Sequence, residues 1–458
     1  MILLAANNEF LGTERMGRLL FRLSAPTICA QLINMLYNVV DRMYIGHIPE
    51  TGALALTGLG VCMPVIMVVS AFAAFVSMGG APRASIAMGK GDHDLAEKLL
   101  GGCFTLQIVI SAILTAVMLI WSRDLLLMFG ASENTIGYAA DYMRIYAIGT
   151  LLVQLTLGMN AFITAQGFAT TGMLTVLIGA VANIALDPLF IYGLGMGVRG
   201  AALATVISQG LSCVWVICFL RGKKTLLRLK RENLLVSPKL ILPCVALGLA
   251  AFIMQSSESM ISVCFNSSLL RYGGDVAVGA MTILSSVMQF AMLPLQGIAQ
   301  GAQPISSYNY GARNADRVRQ TFRLLLRVCL VYSMVLWAGI MLFPRGFAGI
   351  FTPDAELLDF TARALRIYCA MLFLFGIQIA CQMTFVSIGN APCSILVAVL
   401  RKFVLLLPLI FLLPSLLPDK VTAVYLAEPV ADVIAVTCTA LLFSRQFKKA
   451  LAVLEAGK

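Results

Sequence analysis

Charge is scarce in this chain. Of 458 residues only 12% are charged, against 60% hydrophobic, and the mean hydropathy is +0.90. A water-soluble globular domain carries about 25% charged residues, so that class is excluded. Histidine is scarcer still, with His47 and His93 the only two, both in loops. There is no HExxH, HxxxD or GxSxG string, so an intramembrane enzyme, the most remote of the functional alternatives, lacks a nucleophile or metal set. A P-loop is also missing, so ATP is not the expected energy source, and no cofactor is expected. The twelve cysteines stand singly without a CxxC pair and read as small buried hydrophobes. The opening residues, MILLAANNEFLGTERMGRLL, have a four-residue apolar run followed by acids. That is no signal peptide, and the first helix is expected to act as the insertion signal.

What the chain has is long apolar stretches. Hydropathy and loop punctuation predict twelve spans, near 20–46, 54–80, 99–121, 138–165, 172–193, 198–221, 240–266, 275–303, 320–343, 360–388, 393–414 and 420–444. The net charge of +11 sits in short loops between them, where it sets topology and meets anionic lipid, and does not signal nucleic-acid binding. Arg15, Arg18, Arg83, Lys90, Lys98, the run 221–239, Arg313, Arg317, Arg319 and the run 445–449 fall on one side, with few bases opposite. This bias predicts a multi-pass protein of the inner (plasma) membrane with both termini and the linker in the cytoplasm. The loops 83–98 and around Arg313 read as amphipathic elbows.

The basic linker 222–239 divides the chain into an amino-terminal lobe, 1–221, and a carboxy-terminal lobe, 240–458. At a constant offset of 222 residues Gly79 meets Gly301, Gly89 meets Gly311, Arg144-Ile145-Tyr146 meets Arg366-Ile367-Tyr368, and Gly167 meets Gly389. Six spans per repeat make the repeats parallel, related by an axis along the membrane normal. The expected fold is an all-α integral membrane protein of twelve transmembrane helices, in two pseudo-symmetric six-helix lobes around a central cleft. That is the architecture of a transporter that rocks.

The first span, Leu20 to Gly46, carries a proline and an acid. Pro26 has no backbone N–H and clashes one turn back, so the helix is expected to bend or break there. Asp41 is an acid inside an apolar span, which costs about 2.5–3.5 kcal/mol on insertion scales and marks an ion or substrate site. In the fifth span Asn183 and Asp187 share a helix face, and Pro188 follows. Asp41 and Asp187 lie about 8–9 Å deep and Thr205, in the sixth span, about 10 Å, so the three can meet. Tyr37 and Asn34, one and two turns before Asp41, extend the cluster inward. Two carboxylates held together away from water cannot both ionise cheaply, so the pair is expected to take up a proton or sodium, with Asp41 and Asp187 as the possible sodium ligands. The bland alternative is a buried network tying three spans together with Arg42 as counter-ion. Arg42 points about 100° away from Asp41 on the helix, which makes it a poor internal partner.

The other lobe has leucines, Leu405 and Leu409, where Asn183 and Asp187 would repeat. It has instead Glu258, about 12 Å deep, with Gln255, Ser257 and Ser259 to solvate it. Glu428 and Asp432, four apart, lie in the last span, and Arg401 and Lys402 in the eleventh are their possible partners. Asp432 and Arg401 match in depth at about 18–19 Å, so Asp432 reads equally as an ion-pair lock. Glu428, shallower, matches those bases less well. All three acids are candidates for a carboxy-lobe cation or substrate site. The tenth span offers only Gln378 and Gln382.

These features together resemble the multidrug and toxic compound extrusion (MATE) family of cation-coupled efflux transporters, in its bacterial drug-exporting branches. The likeness covers nearly the whole chain. It rests on P(x)10YNVVDRMYIG in the first span, the repeated Gly-containing segments after the second and eighth spans, NIALDPLFIYGLGMGVRGAALATVISQ, and AEPVADV. The resemblance implies two lobes and export of amphipathic, often cationic compounds against a proton or sodium gradient, by a monomer. Tyr37, Asp41, Asn183, Asp187 and Thr205 fall on positions the family uses for a cation and hydrogen-bond network, and Glu258 on a functional glutamate. The alternative within the same broad class is a flippase for a lipid-linked sugar or another amphipathic lipid.

Overall fold

The structure is a computed structural model that describes residues 9–235 and 237–456. After a short helix, Phe10–Thr13, the apolar stretches form the helices Met16–Gly46 (α1), Gly52–Gly89 (α2), His93–Met128 (α3), Ile136–Ala165 (α4), Ala169–Pro188 (α5) and Val198–Arg221 (α6). Helix α5 runs on as one π-helical turn, Leu189–Gly193, because Pro188 supplies no N–H to the ladder.

Next comes a helical stretch of 74 residues, Pro238–Gly311. Straight, it would be about 110 Å long, more than three times the hydrocarbon thickness. It is not straight. Gly274 has φ +65°, and residues 244–248 and 308–312, on either side of it, both lie against the second half of α2. The chain therefore turns back at Gly274, giving α7 (238–273) and α8 (275–311). Helix α9 is Ala315–Leu342. Helix α10 is a bent pair, Ala355–Tyr368 and Leu372–Ser387, at 46° to one another. The indole Nε1 of Trp337 donates to the Ala370 carbonyl at that break, at 2.9 Å. Helix α11 begins as Ala391–Val399, passes through a π-helical stretch, Leu400–Leu406, and ends as Leu407–Leu416, and α12 is Lys420–Ala456. With α10 counted once and the stretch 238–311 counted as two, twelve helices among the described residues are long and apolar enough to cross a membrane, in the places predicted.

Three points differ from or go beyond the sequence expectations. Helix α1 passes Pro26 without a break. The tenth span is bent, which its apolar pattern did not indicate. The predicted elbows are absent: α2 runs to Gly89 and α3 starts at His93, with Asp92 capping its first turn through Leu95 N. In the second half Asn314 caps Arg317 N in the same way.

The halves meet along α1, α2, α7 and α8 through small residues. A side chain at Gly79 would strike the Cys244 carbonyl, and one at Gly301 would strike the backbone of Ser24. One at Gly89 would meet Tyr308, and one at Gly311 would meet Ile86. The last two contacts are images of each other, since 86 and 308, like 89 and 311, differ by 222. Thr27 Oγ1 donates to the Gly297 carbonyl at 2.7 Å, and Gln31 Nε2 to Gln300 Oε1 at 3.2 Å. Further along, the rings of Phe72 and Phe252 pack at a tilt with centroids 4.8 Å apart, and Ser259 reaches Met67 Sδ at 3.7 Å. These contacts run from the linker-bearing face to about mid-membrane, so the halves are closed together on that face.

Two segments cross between the halves. Gln166 Oε1, fully buried, accepts from Thr225 Oγ1 and Leu226 N at 2.9 Å and from Leu227 N at 3.0 Å. Glu97 accepts from Arg228 N and pairs with Lys230. The linker thus lies on the first half. In return, the segment before α1 lies on the second half, where Asn309 Nδ2 and a terminal nitrogen of Arg317 donate to the Leu11 carbonyl.

Candidate functional site

Helices α1, α5 and α6 bring the predicted polar residues of the first half together. Asp41, Asn183 and Asp187 are buried. Asn183 Nδ2 donates to Asp187 Oδ1 at 3.3 Å and reaches Thr205 Oγ1 at 3.5 Å. The carboxyl groups of Asp41 and Asp187 are neighbours in this cluster. Such a contact needs a proton between them or a cation beside them, because two carboxylates are both acceptors. Asp41 Oδ1, Asn183 Oδ1 and Asp187 Oδ2 are buried acceptors without a donor among the described residues. Oxygen donors of this kind suit a hard monovalent cation as well as a proton.

Tyr37 is half-buried beside Asp41 and Asp187. Asn34 stands exposed a turn further on, and its side chain lines a cavity shared with Tyr37, Asn183, Thr205 and Ser208. Arg42 is exposed and its guanidinium contacts Met63 Sδ at 3.7 Å, outside the cluster, as helix geometry predicts. Sequence reasoning missed Tyr142 and Tyr146 of α4. Their rings stack at 6.2 Å; the Tyr142 hydroxyl meets Thr205 near Asp41, and Tyr146 stands beside Tyr37. The Arg-Ile-Tyr repeat marked Tyr146 as a repeated position but carried no hint of which way it faces.

The second half is built differently. Arg401 donates from Nε to Asp432 Oδ1 at 2.9 Å and from a terminal nitrogen to Glu428 Oε1 at 2.7 Å. Its guanidinium also lies 4.7 Å from the centre of the Phe375 ring. Glu428 is therefore as well matched to the base as Asp432, contrary to the depth estimate, because one planar guanidinium spans a helical turn of acceptors. Glu258 is not solvated by its serines. Ser257 Oγ donates to the Met254 carbonyl, and Lys402 Nζ takes Glu258 Oε1 at 2.6 Å. The consecutive residues Arg401 and Lys402 are both buried, and both lie in the π-helical stretch of α11. Met281, Met288 and Met292 pack in the core of the second half.

The MatE family model matches residues 26–189 and 249–412, two stretches of equal length on either side of the linker. The multidrug export protein MepA of Staphylococcus haemolyticus (strain JCSC1435) is 23% identical over 414 residues, 90% of each chain. That of Staphylococcus aureus (strain NCTC 8325 / PS 47) is 21% identical over 424 residues, 92% of this chain and 93% of its own. Among solved structures, one of MATE in the bent conformation superposes with TM-score 0.91 at 22% identity, covering 98% of this chain and 99% of that one. The outward-facing conformation of a multidrug resistance MATE family transporter of the MOP superfamily gives 0.89 at 23%, covering 97% and 98%. With more than half of its residues inside the family model and the same fold throughout, the chain belongs to the MatE family, whose members are transporters and not enzymes.

Proposed function

We propose that this protein is a secondary antiporter that exports amphipathic, cationic drugs or toxic compounds by alternating access, in exchange for protons or sodium. One observation carries the reading: Asp41 and Asp187 meet in a buried cluster with Asn183 and Thr205, with acceptor oxygens left over. The contacts between the halves lie toward the linker face, and by the bias of basic residues that face is cytoplasmic. The cluster would then meet the outside, where a proton or sodium enters. Charging or discharging the pair changes the hydrogen bonds that α1 makes with α5, and Pro26 weakens the same helix. Both halves of the cleft come from one chain, so a monomer suffices. A proton moving down 100 mV supplies about 2.3 kcal/mol, and each pH unit about 1.4 kcal/mol more.

The test is uptake of a fluorescent lipophilic cation by purified protein in proteoliposomes, under an imposed pH gradient, an imposed sodium gradient, or neither. Transport that follows one gradient and disappears in Asp41→Asn is expected. Movement that ignores both gradients would overturn the antiport reading and bring forward the lipid flippase.

A further inference from the structure

Glu258, Arg401, Lys402, Glu428 and Asp432, the five charged side chains that pair with one another in the second half, are not equivalent. Arg401, Glu428 and Asp432 expose 9%, 11% and 7% of their side chains and are bound to one another. Lys402 exposes 8%, while Glu258, its partner, leaves 59% open. An acid in the middle of a membrane helix that is this open must face the cleft and not lipid. Its neighbour Ser259 contacts Met67 of the opposite half, so this stretch of α7 borders the other half. Lys402 also borders a small cavity with Met254, Phe375, Gln378, Gln382 and Arg401. Two of its lining atoms, Gln378 Oε1 and Gln382 Oε1, are buried acceptors without a donor among the described residues. An ammonium has three N–H groups, and Glu258 is the one hydrogen-bond partner that Lys402 has among the described residues.

We propose that the Lys402–Glu258 pair is an exchangeable pair that binds zwitterionic substrates, Lys402 taking the substrate carboxylate and Glu258 the substrate cation. The argument is one of charge balance. A purely cationic substrate that took Glu258 would leave Lys402 buried and unpaired, and an anion that took Lys402 would strand Glu258. Either outcome is costly in a weakly polar environment. A zwitterion exchanges one ion pair for two and strands neither. Phe375 and Met254 supply apolar surface for the body of such a molecule, and the glutamine oxygens can accept from its N–H groups. Purely cationic substrates are left to the uncompensated acids of the first half. This deepens the export reading above and rests on it.

The experiment uses a xanthene dye as its zwitterionic free acid and as its cationic methyl ester, bound to the purified protein in detergent and read by fluorescence polarisation. The double variant Lys402→Met/Glu258→Gln removes the pair without leaving a buried charge. It is expected to bind the acid at least about tenfold more weakly than the wild type, the loss typical of a charged hydrogen bond, and to keep its affinity for the ester within about twofold. The swapped variant Lys402→Glu/Glu258→Lys is expected to recover binding of the acid. Equal losses for both dyes, or no loss for either, would overturn the proposal. If the wild type binds the ester but not the acid, this proposal alone falls, and if it binds neither, the export reading falls with it.

Discussion

Arg401 of α11 and Asp432 of α12 are joined by a 2.9 Å hydrogen bond from Nε, and the same guanidinium holds Glu428 one turn away. The last two helices are thus fastened by a single buried cation shared between two acids. Arg401→Met would leave both carboxylates unpaired, so a loss of about 3–5 kcal/mol is expected. Adding Glu428→Gln and Asp432→Asn should restore most of it. Thermal unfolding in detergent measures both, and a single variant as stable as the wild type would refute the lock.

Among the described residues, no base pairs with Asp41 or Asp187 in the first half. Asp187→Asn keeps an oxygen to accept from Asn183, and Asp41→Asn keeps the volume, so folding and expression are expected to survive in each. Gradient-driven export should fall to the level of empty vesicles. Full export in either variant would remove that residue from the coupling site.

Gly89 packs on the Tyr308 carbonyl so closely that no Cβ fits. Gly89→Val should therefore cost about 1–3 kcal/mol in the closed arrangement and push the linker face open. Spin labels at positions 90 and 312 in a cysteine-free background report the distance across that face. The expected result is a longer distance, and an unchanged one would mean that the seam relaxes elsewhere.

Gln166 is the anchor of the linker on the first half. Replacing it with leucine strands the amides of Leu226 and Leu227, at about 1–3 kcal/mol for each buried group left unpaired. Trypsin should cut the basic stretch 223–231 several-fold faster in Gln166→Leu than in the wild type. Equal cutting rates would show that Glu97 and Thr105, whose Oγ1 donates to the Leu234 carbonyl at 2.6 Å, hold the linker by themselves.

Helix α1 is continuous through Pro26, and the proline leaves one turn without its backbone hydrogen bond. Pro26→Ala restores the missing N–H and stiffens the helix. Export should slow by more than substrate binding weakens, and equal transport rates would exclude bending at this residue.

Some of this was fixed by the sequence alone. Twelve spans follow from runs of apolar residues, because a bilayer imposes a minimum length that composition reveals directly. The duplication follows from glycines and an Arg-Ile-Tyr string recurring at one offset. The structure adds why those glycines recur: Gly167 and Gly389 hold φ +91° and +75° in equivalent turns, and Gly89 and Gly311 permit reciprocal helix contacts. The meeting of Asp41, Asn183, Asp187 and Thr205 was legible too, since four-residue spacing and equal depth are one-dimensional properties.

Facing directions and side-chain reach were not legible. Depth along a helix cannot say that one guanidinium spans Glu428 and Asp432, or that a π-helical stretch buries both Arg401 and Lys402. Nor can it place Tyr142 beside Thr205, since which face of α4 turns inward depends on five neighbouring helices and not on its own sequence. The bend of α10 and the crossing of the linker and the first segment between the halves are likewise tertiary decisions. They depend on where a carbonyl or an amide finds its partner across a distance in sequence that no local pattern records.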